Sequence, residues 1–203
     1  MSEQYFATEP SAPHREGTVR VFLPDLHLEL QTDAGVFSPR RLDAGTRLLL
    51  DVAPPPPAAG NVLDLGCGYG ALALVLAARA PGAHVLAVDV NARALALTGA
   101  NAARAGLPNV SCALPDDPGL PPAFDLIWSN PPVRIGKKAL HELLARWLGR
   151  LAPGAAAYLV VQRNLGSDSL HRWLAASGWP TERFAARSGY RVLKVLAAGR
   201  GEA

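Results

Sequence analysis

The chain has 203 residues, of which 49% are apolar, and it carries a formal net charge of +3 with a mean hydropathy of +0.12. These values exclude an intrinsically disordered chain and allow one domain with a sizeable core, or a core domain with an appendage. The small positive charge is compatible with a nucleic-acid partner but does not by itself predict one. No apolar run reaches the roughly 20 residues that a membrane helix requires.

Cysteine and histidine usage and the first residues bear on location and metal binding. The opening stretch, M-S-E-Q-Y-F-A-T-E-P, has acids and prolines where a signal peptide has a basic and then an apolar stretch. The two cysteines, Cys67 and Cys112, are expected to be free thiols in a reducing compartment. The five histidines are scattered without metal spacing. A cytoplasmic protein with no membrane segment and no metal site is therefore expected.

Residues 1–53 are predicted to form a small hairpin and helix extension. T-V-R-V-F-L (18–23) and L-H-L-E-L-Q (26–31) alternate apolar and polar residues around a Pro-Asp turn, which indicates a β-hairpin. A short helical run follows at 47–53. The four prolines at 54–57 then form a stiff linker in polyproline geometry. The second unit is expected to occupy residues 58–203.

This second unit alternates short apolar runs with helical patterns. Strands are expected at 61–65, 84–89, 109–114, 124–129 and 155–162, helices at 71–80, 92–106, 137–151 and 168–177, and an antiparallel pair after them around Ser188-Gly189. The alternation predicts an α/β fold with a doubly wound, mostly parallel, seven-stranded Rossmann-like sheet and an antiparallel terminal strand. Ligands of such sheets bind outside the carboxyl ends of the strands.

A glycine-rich loop follows the first of these strands in V-L-D-L-G-C-G-Y-G-A (62–71). Gly66, Gly68 and Gly70 allow a tight turn and a close approach of a ligand to the backbone, with Cys67 as a small filler between them. The spacing Gly66-x-Gly68-x-x-Ala71 also fits a dinucleotide-binding loop formally. The glycines therefore predict a ligand site but do not choose its ligand.

Three acids accompany the loop. Asp64 precedes the glycines inside the strand, where a carboxylate suits an amino-acid ammonium better than a pyrophosphate. Asp89 ends the next strand about 20 residues further on, where an acid binds ribose hydroxyls, and Val90 follows it. Asp116, just after the third strand, is placed to meet an adenine amine.

A rigid segment, S-N-P-P-V-R (129–134), ends the fourth strand. Its two prolines donate no ladder hydrogen bond, and the asparagine before them is held in an extended conformation. The segment is either an ordinary strand end or a bracket that holds an amide and a carbonyl for chemistry.

Several motifs together carry a resemblance to a known family. D-L-G-C-G-Y-G, with A-V-D at the next strand end, resembles the class I S-adenosylmethionine-dependent methyltransferases. N-P-P-V resembles the N/D-P-P-x motif of methyltransferases that act on planar nitrogen. P-P-V-R-I-G-K, V-V-Q-R-N, S-G-Y-R-V-L-K and T-D-x-G-V-F-S-x-x-x-x-D-x-G-T are similar to the small-domain family related to ribosomal RNA guanine-N2 methyltransferases. This resemblance spans the chain from about residue 17.

The resemblance implies S-adenosylmethionine as cofactor and assigns roles to particular residues. Asn130, Pro131 and Pro132 would be catalytic, with the Asn130 side-chain oxygen and the Pro131 carbonyl accepting the hydrogens of a planar amine. Catalysis would then consist mainly of positioning. The implied cofactor-binding residues are Asp64, Gly66, Cys67, Gly68, Gly70, Asp89, Val90, Asp116, Asn130 and Thr46, with Asp43 and Gly45 helping to close the site.

The implied substrate is guanine N2 of ribosomal RNA, either free or within a ribosomal subunit. Phe37, Val133, Arg134 and Lys137 would bind it, with the cations near RNA phosphates. Val133 departs from the family pattern, because many relatives have Tyr or Phe there to stack on the target plane. A homodimer is possible in this setting, since the extension is too short to be a full RNA-binding domain.

Other functions remain open from the sequence alone. The acceptor could instead be an adenine amine, a protein glutamine or a small molecule. A nicotinamide enzyme would use the same glycine spacing. A non-catalytic module that binds the cofactor and RNA is an alternative of a different class.

Overall fold

The computed structural model of the protein describes residues 13–199. The outer bounds predicted for the two units, residues 1 and 203, and the opening residues discussed above lie outside this range. The strands are β1 Gly17–Phe22, β2 His27–Thr32, β3 Ala59–Leu65, β4 Gly82–Val88, β5 Val110–Ala113, β6 Phe124–Ser129, β7 Leu151–Gln162, β8 Thr181–Arg187 and β9 Tyr190–Leu196. The helices are α1 Ala44–Val52, α2 Ala71–Arg79, α3 Ala92–Arg104, α4 Lys137–Leu148 and α5 Ser167–Ala176.

The predicted fold class is confirmed. A seven-stranded sheet has the order β5-β4-β3-β6-β7-β9-β8, and β1 pairs with β2 in a separate antiparallel hairpin. The strands from β3 to β7 run parallel to one another, whereas β9 runs antiparallel to both β7 and β8. Strand order reverses beside β3, so the carboxyl ends of β3, β4 and β6 face one crevice.

Two apolar cores cover the two faces of this sheet. One includes the buried side of α2 with Trp128, and the other includes Trp147 and the apolar face of α4. Helix α4 is shorter than the sequence pattern indicated, because the chain turns at Gly149 and Leu151 already begins β7. Leu151 is therefore a strand residue of this core and not the last residue of the helix face.

The hairpin packs on the outer side of α2 and α3. Val19, Val21 and Leu30 are buried in the same core as α2. The side chain of Asn101 on α3 accepts from Gln31 N–H at 2.8 Å and donates to Gln31 O at 2.9 Å. These contacts fix the loop after the hairpin over the crevice. The division into two units at 54–57 remains a prediction.

Helix α1 begins earlier than predicted because an acid caps it. The Asp43 carboxylate accepts hydrogen bonds from the N–H groups of Gly45 and Thr46, which otherwise have no partner within the helix. The helix therefore starts at Ala44 and not at residue 47. None of the helices within 13–199 has the length and hydropathy of a membrane span.

Candidate active site

A cavity of about 820 Å³ lies at the carboxyl ends of the parallel strands. Its walls include the loops after β3, β4 and β6 and the segment 36–46, which leads into and begins α1, together with residues near the ends of β5 and β7 and at the start of β9. A volume of this size is typical of a site for a small molecule or cofactor. The crevice at the strand-order reversal is therefore the candidate active site.

The glycine loop after β3 forms the floor of this cavity. Gly66, Gly68 and Gly70 all have positive φ, at 79°, 57° and 91°. A Cβ at Gly68 would meet nothing within 4 Å, and one at Gly66 would come no closer than 4.0 Å, to the Asn130 carbonyl oxygen. Gly70 differs, because a Cβ there would come within 2.7 Å of the Leu74 side chain. The first two glycines thus leave room for a ligand, and the third allows close packing.

Asp64 lies beneath this loop and is fully buried. Its Oδ2 accepts from the Ala73 N–H at 2.9 Å, while its Oδ1 has no hydrogen-bond partner. Burial raises the pKa of this carboxyl to about 8, and the charge of Asp89 contributes to the rise. A buried carboxylate with an unsatisfied oxygen is costly without a cation or donor beside it.

Asp89 links the glycine loop to the end of β4. Its Oδ2 accepts from the Gly68 N–H at 2.9 Å, and its Oδ1 accepts from the Asn91 N–H at 3.0 Å. Burial raises the pKa of Asp89, and these backbone hydrogen bonds act against the rise. The carboxylate therefore shapes the loop directly, in addition to lining the cavity.

Asn130 is held at the opposite wall through its amide nitrogen. Nδ2 donates to Asp43 Oδ1 at 2.8 Å and to Thr46 Oγ1 at 3.0 Å. The same Asp43 oxygen caps helix α1. Because both amide hydrogens are used, the side-chain oxygen is the remaining polar atom of this amide, and within residues 13–199 it accepts no hydrogen bond. Asn130 therefore offers an oriented acceptor to the cavity that it lines.

The two prolines after Asn130 fix the backbone in a tight turn. Pro132 has φ −74° and ψ 69°, and the Val133 N–H donates to the Pro131 carbonyl at 2.8 Å. These values describe an inverse γ-turn. A carbonyl oxygen has two lone pairs, so Pro131 retains a second acceptor site.

The structure brings most of the predicted site residues together. The cavity is lined by Asp64, Gly66, Cys67, Gly68, Asp89, Val90, Thr46, Asn130, Pro131, Pro132, Phe37, Val133 and Arg134. Gly70 lies behind the loop and packs against α2 and Thr98. Lys137 begins α4 and does not line the cavity.

Asp116 is the predicted cofactor residue that lies away from the cavity. Its side chain is 87% exposed and forms an ion pair with Arg146 at 2.7 Å. Pro115 lines the cavity at this point of the chain. Asp116 is thus exposed and paired outside the cavity lining, and its contact with adenine remains a prediction.

Several lining residues carried no role in the sequence analysis. Tyr190 lies beside Asp43, and burial followed by the Asp43 carboxylate raises the pKa of its hydroxyl. Leu165 and Arg41 line the outer part of the cavity and are exposed. Tyr190 was present in the motif S-G-Y-R-V-L-K, which was the available signal for it. Leu165 had no such signal, because it lies in a 3₁₀ turn after β7.

The inner part of the cavity fits S-adenosylmethionine. The unsatisfied Asp64 oxygen would meet the cationic amino-acid end of the cofactor, and the open space at Gly66 and Gly68 admits it against the backbone. Asp89, at the next strand end, is the acid that would hold the ribose hydroxyls. The buried Asp64 carboxyl beneath the glycine loop suits a cationic ligand better than a pyrophosphate, whereas an acid at the position of Asp89 is common to cofactor and dinucleotide sites.

The chain belongs to the methyltransferase small domain family, whose model matches residues 27–194. Its cofactor is S-adenosylmethionine, as the resemblance implied. Among the curated relatives, the uncharacterized protein YbxB of Bacillus subtilis (strain 168) is 32% identical over 197 residues, which cover 96% of this chain and 98% of that protein.

Other similar proteins act on ribosomal RNA. Ribosomal RNA small subunit methyltransferase C of Shewanella amazonensis is 34% identical over 166 residues, covering 78% of this chain and 47% of that protein. The solved structure of the T. thermophilus 16S rRNA N2 G1207 methyltransferase, in complex with AdoMet and guanosine, has a TM-score of 0.74. That structure is 25% identical to this chain, and the match covers 92% of this chain and 52% of the other. The chain thus spans about half the length of these two methyltransferases.

Proposed function

We propose that the protein transfers a methyl group from S-adenosylmethionine to a planar exocyclic amine, namely N2 of a guanine in ribosomal RNA. The lone pair of such an amine is delocalised into the ring, so the nitrogen is a poor nucleophile until its hydrogens are bound and its lone pair is turned. S-adenosylmethionine supplies an electrophilic methyl group on a sulfonium that is a good leaving group. The protein must therefore position the amine and supply hydrogen-bond acceptors for its two hydrogens.

The orientation of the Asn130 amide carries this proposal. Asp43 and Thr46 hold its nitrogen, which leaves its oxygen to accept one amine hydrogen. The second acceptor would be the Pro131 carbonyl, whose remaining lone pair is held in place by the γ-turn. Two fixed acceptors would hold the amine plane so that its lone pair faces the methyl group, which is catalysis by positioning and needs no strong base.

The charge distribution of the cavity favours a nucleic-acid substrate. The acids Asp64 and Asp89 lie in the inner part, whereas Arg41 and Arg134 line the cavity from exposed positions. Exposed cations at a site entrance match phosphates of a polynucleotide. A neutral protein glutamine would leave them without a partner.

Exposed apolar side chains at the same entrance favour a planar base. Phe37 is 49% exposed and Leu165 is 42% exposed, and both line the cavity. Such side chains can support a base that has left its stack, and Phe37 offers a ring in place of the aromatic residue that Val133 replaces. The guanine would have to be unstacked or flipped to reach Asn130.

The similar proteins support the same acceptor. The T. thermophilus structure is of a guanine-N2 methyltransferase and contains guanosine with the cofactor. Ribosomal RNA large subunit methyltransferase G of Pseudomonas syringae is also similar, at 32% identity over 182 residues. Ribosomal RNA, free or in a subunit, is accordingly the proposed partner.

Transfer of a labelled methyl group tests the proposal. Purified protein and labelled cofactor are incubated with small subunits, large subunits, free ribosomal RNA and a ribosome-free protein extract, followed by nucleoside analysis. Label in N2-methylguanosine is the expected result, and RNA transcribed with inosine in place of guanosine should accept none, because inosine lacks the amine. Label in methyladenosine or in protein would identify another acceptor, and no label in any fraction would indicate a non-catalytic binding module.

A further inference from the structure

A second cavity, of about 460 Å³, lies between the β1–β2 hairpin and the loop that leads into α1. It is lined by Thr18, Val19, Arg20, Glu29, Arg40, Arg41 and Leu42. Arg41 and Leu42 also line the candidate active site. The two cavities therefore adjoin, and we call the second one the hairpin groove.

The hairpin groove carries an excess of positive charge. Arg40 and Arg41 are exposed, and within residues 13–199 neither guanidinium pairs with a carboxylate. The third cation, Arg20, pairs with the groove's acid, Glu29, at 2.9 Å, but both side chains are more than half exposed. A surface pair of this kind is weak, so an anionic ligand can compete for Arg20.

Several other arginines are engaged by carboxylates within the fold. Arg47, Arg79 and Arg187 each form an ion pair with an aspartate. Unpaired guanidinium groups beside a cavity are a suitable site for phosphate, because their planar donors match phosphate oxygens. Arg104 and Arg172 also lack an ion pair among the residues that the structure describes but line neither cavity, so the position of Arg40 and Arg41 in the groove is what points to an anionic ligand.

The loop that carries these arginines is held by specific hydrogen bonds. Thr32 Oγ1 donates to the Pro39 carbonyl at 2.7 Å, and Ser38 Oγ donates to the Arg41 carbonyl at 2.6 Å. Asn91 Nδ2, from the element that carries Asp89, donates to Gly35 O at 2.9 Å. The arginines thus extend from a fixed backbone, which lowers the entropic cost of binding an extended ligand.

We propose that the hairpin groove binds the phosphodiester backbone of single-stranded RNA that flanks the target nucleotide. A target base must leave its stack to enter the active site, so the adjoining strand is single at that point. The groove continues from the entrance and offers three guanidinium groups to its phosphates. This inference rests on the proposed RNA substrate, although it concerns binding and can be tested without methyl transfer.

The experiment compares Arg40→Ala/Arg41→Ala with the control Arg104→Ala/Arg172→Ala. The control removes the same charge from exposed arginines that line neither cavity. Binding of a fluorescein-labelled single-stranded RNA of about 12 nucleotides, a length within the usual range of single-strand sites, is followed by anisotropy across a salt series. Each lost phosphate contact lowers the slope of log K against log salt by about 0.7, so the groove variant should lose about 1.4.

The control variant should keep the wild-type slope, and Arg40→Lys/Arg41→Lys should restore most of it. The proposal is overturned if the groove variant keeps the wild-type slope, or if the control loses as much. An unlabelled poly-glutamate competitor provides a further arm. Displacement of the RNA by poly-glutamate at equal charge concentration would assign the groove to an acidic protein instead.

Failure of the proposed function would give a different result. In that case no methyl group reaches RNA, while the difference in slope between the two double variants persists. A groove without RNA contact would instead leave methylation intact and the slopes equal.

Discussion

The inner floor and the outer entrance of the active-site cavity are built in opposite ways. The floor consists of Gly66, Gly68, Asp64 and Asp89, where backbone N–H groups hold both carboxylates: Gly68 N–H donates to Asp89 and Ala73 N–H to the buried Asp64. The entrance consists of exposed side chains, among them Phe37, which come from several distant segments. The floor is therefore suited to a constant ligand, the cofactor, and the entrance to the more variable task of choosing an acceptor.

Asn130 and its partners stand between these two regions. They belong to the wall where the acceptor would meet the cofactor, and they are fixed by the loop from the N-terminal segment. Substitutions in the floor should change cofactor binding, and substitutions at this wall should change turnover.

The largest effect is expected for Asn130→Ala. Loss of an oriented polar group at a reacting centre costs about 10²- to 10³-fold in kcat. Methyl transfer to RNA under saturating cofactor measures it, with Asn164→Ala as the control because that exposed amide lies outside the cavity. A variant that binds cofactor and still methylates at the wild-type rate would disprove the acceptor role.

The second largest effect is expected for Asp64→Asn, which should weaken cofactor binding. Loss of a charged partner for the cofactor's ammonium is expected to weaken cofactor affinity about 10- to 100-fold. Asp116→Asn is the matched control, since Asp116 lies outside the cavity. Equal losses in the two variants would contradict the assignment of Asp64 and revive the adenine contact predicted for Asp116.

The raised pKa of Asp64 adds a test of pH dependence. With a pKa of about 8 the free carboxyl is mostly protonated at pH 7, and a cationic ligand would ionise it. Cofactor binding at pH 7 should then release about one proton, measured by calorimetry in buffers of different ionisation heat. Asp64→Asn should release none.

The raised pKa of Asp64 also predicts how folding stability changes with pH. A carboxyl whose pKa is higher in the folded state stabilises the fold at low pH and loses that contribution as pH rises through about 8. The melting temperature of Asp64→Asn minus that of wild type should therefore increase from pH 5 to pH 9. A difference that is constant across these pH values would refute the shift.

Alanine substitutions at Gly70 and Gly68 should affect different properties: mainly stability at Gly70, and cofactor binding at Gly68. Gly70→Ala forces a Cβ onto Leu74 at positive φ and should cost about 2–4 kcal/mol of unfolding free energy. Gly68→Ala should cost only about 1–2 kcal/mol, while weakening cofactor affinity because its Cβ enters open cavity space. Chemical denaturation measures the unfolding free energy of both variants, and calorimetry measures their cofactor affinity.

Thr46→Val should have the smallest effect. It removes one of the two acceptors of Asn130 Nδ2 and leaves Asp43 in place. A net hydrogen bond of this kind corresponds to about three- to tenfold in kcat. Thr46→Ser should restore the rate, and the NMR signals of the Asn130 side-chain amide should move in the valine variant only.

The sequence grouped the floor residues, which line one cavity, because they lie within one strand-helix-strand unit. The spacing of Asp64, the glycines and Asp89 is a local property, so it indicates the geometry directly. The sheet and its antiparallel strand were predicted for a similar reason. Asp116 differs, because it pairs with Arg146, 30 residues away, which no local pattern indicates.

The wall and the entrance required the structure. The hydrogen bond from Asn130 to Asp43 joins positions 87 residues apart, which no local pattern indicates. The sequence placed Asp43 near the cofactor only through family resemblance, and it gave no sign that this residue holds the Asn130 amide. Leu165 and the hairpin groove follow from packing between segments.

The Oδ1 atom of Asp43 connects the start of helix α1 to the Asn130 side chain. It takes three donors at once: the N–H groups of Gly45 and Thr46, and the Asn130 amide. The start of helix α1 and the orientation of the Asn130 amide are thus coupled through this atom. Loss of Asp43 and Thr46 would remove both acceptors of the Asn130 amide nitrogen, so an intact glycine loop alone would not fix the Asn130 oxygen in the cavity.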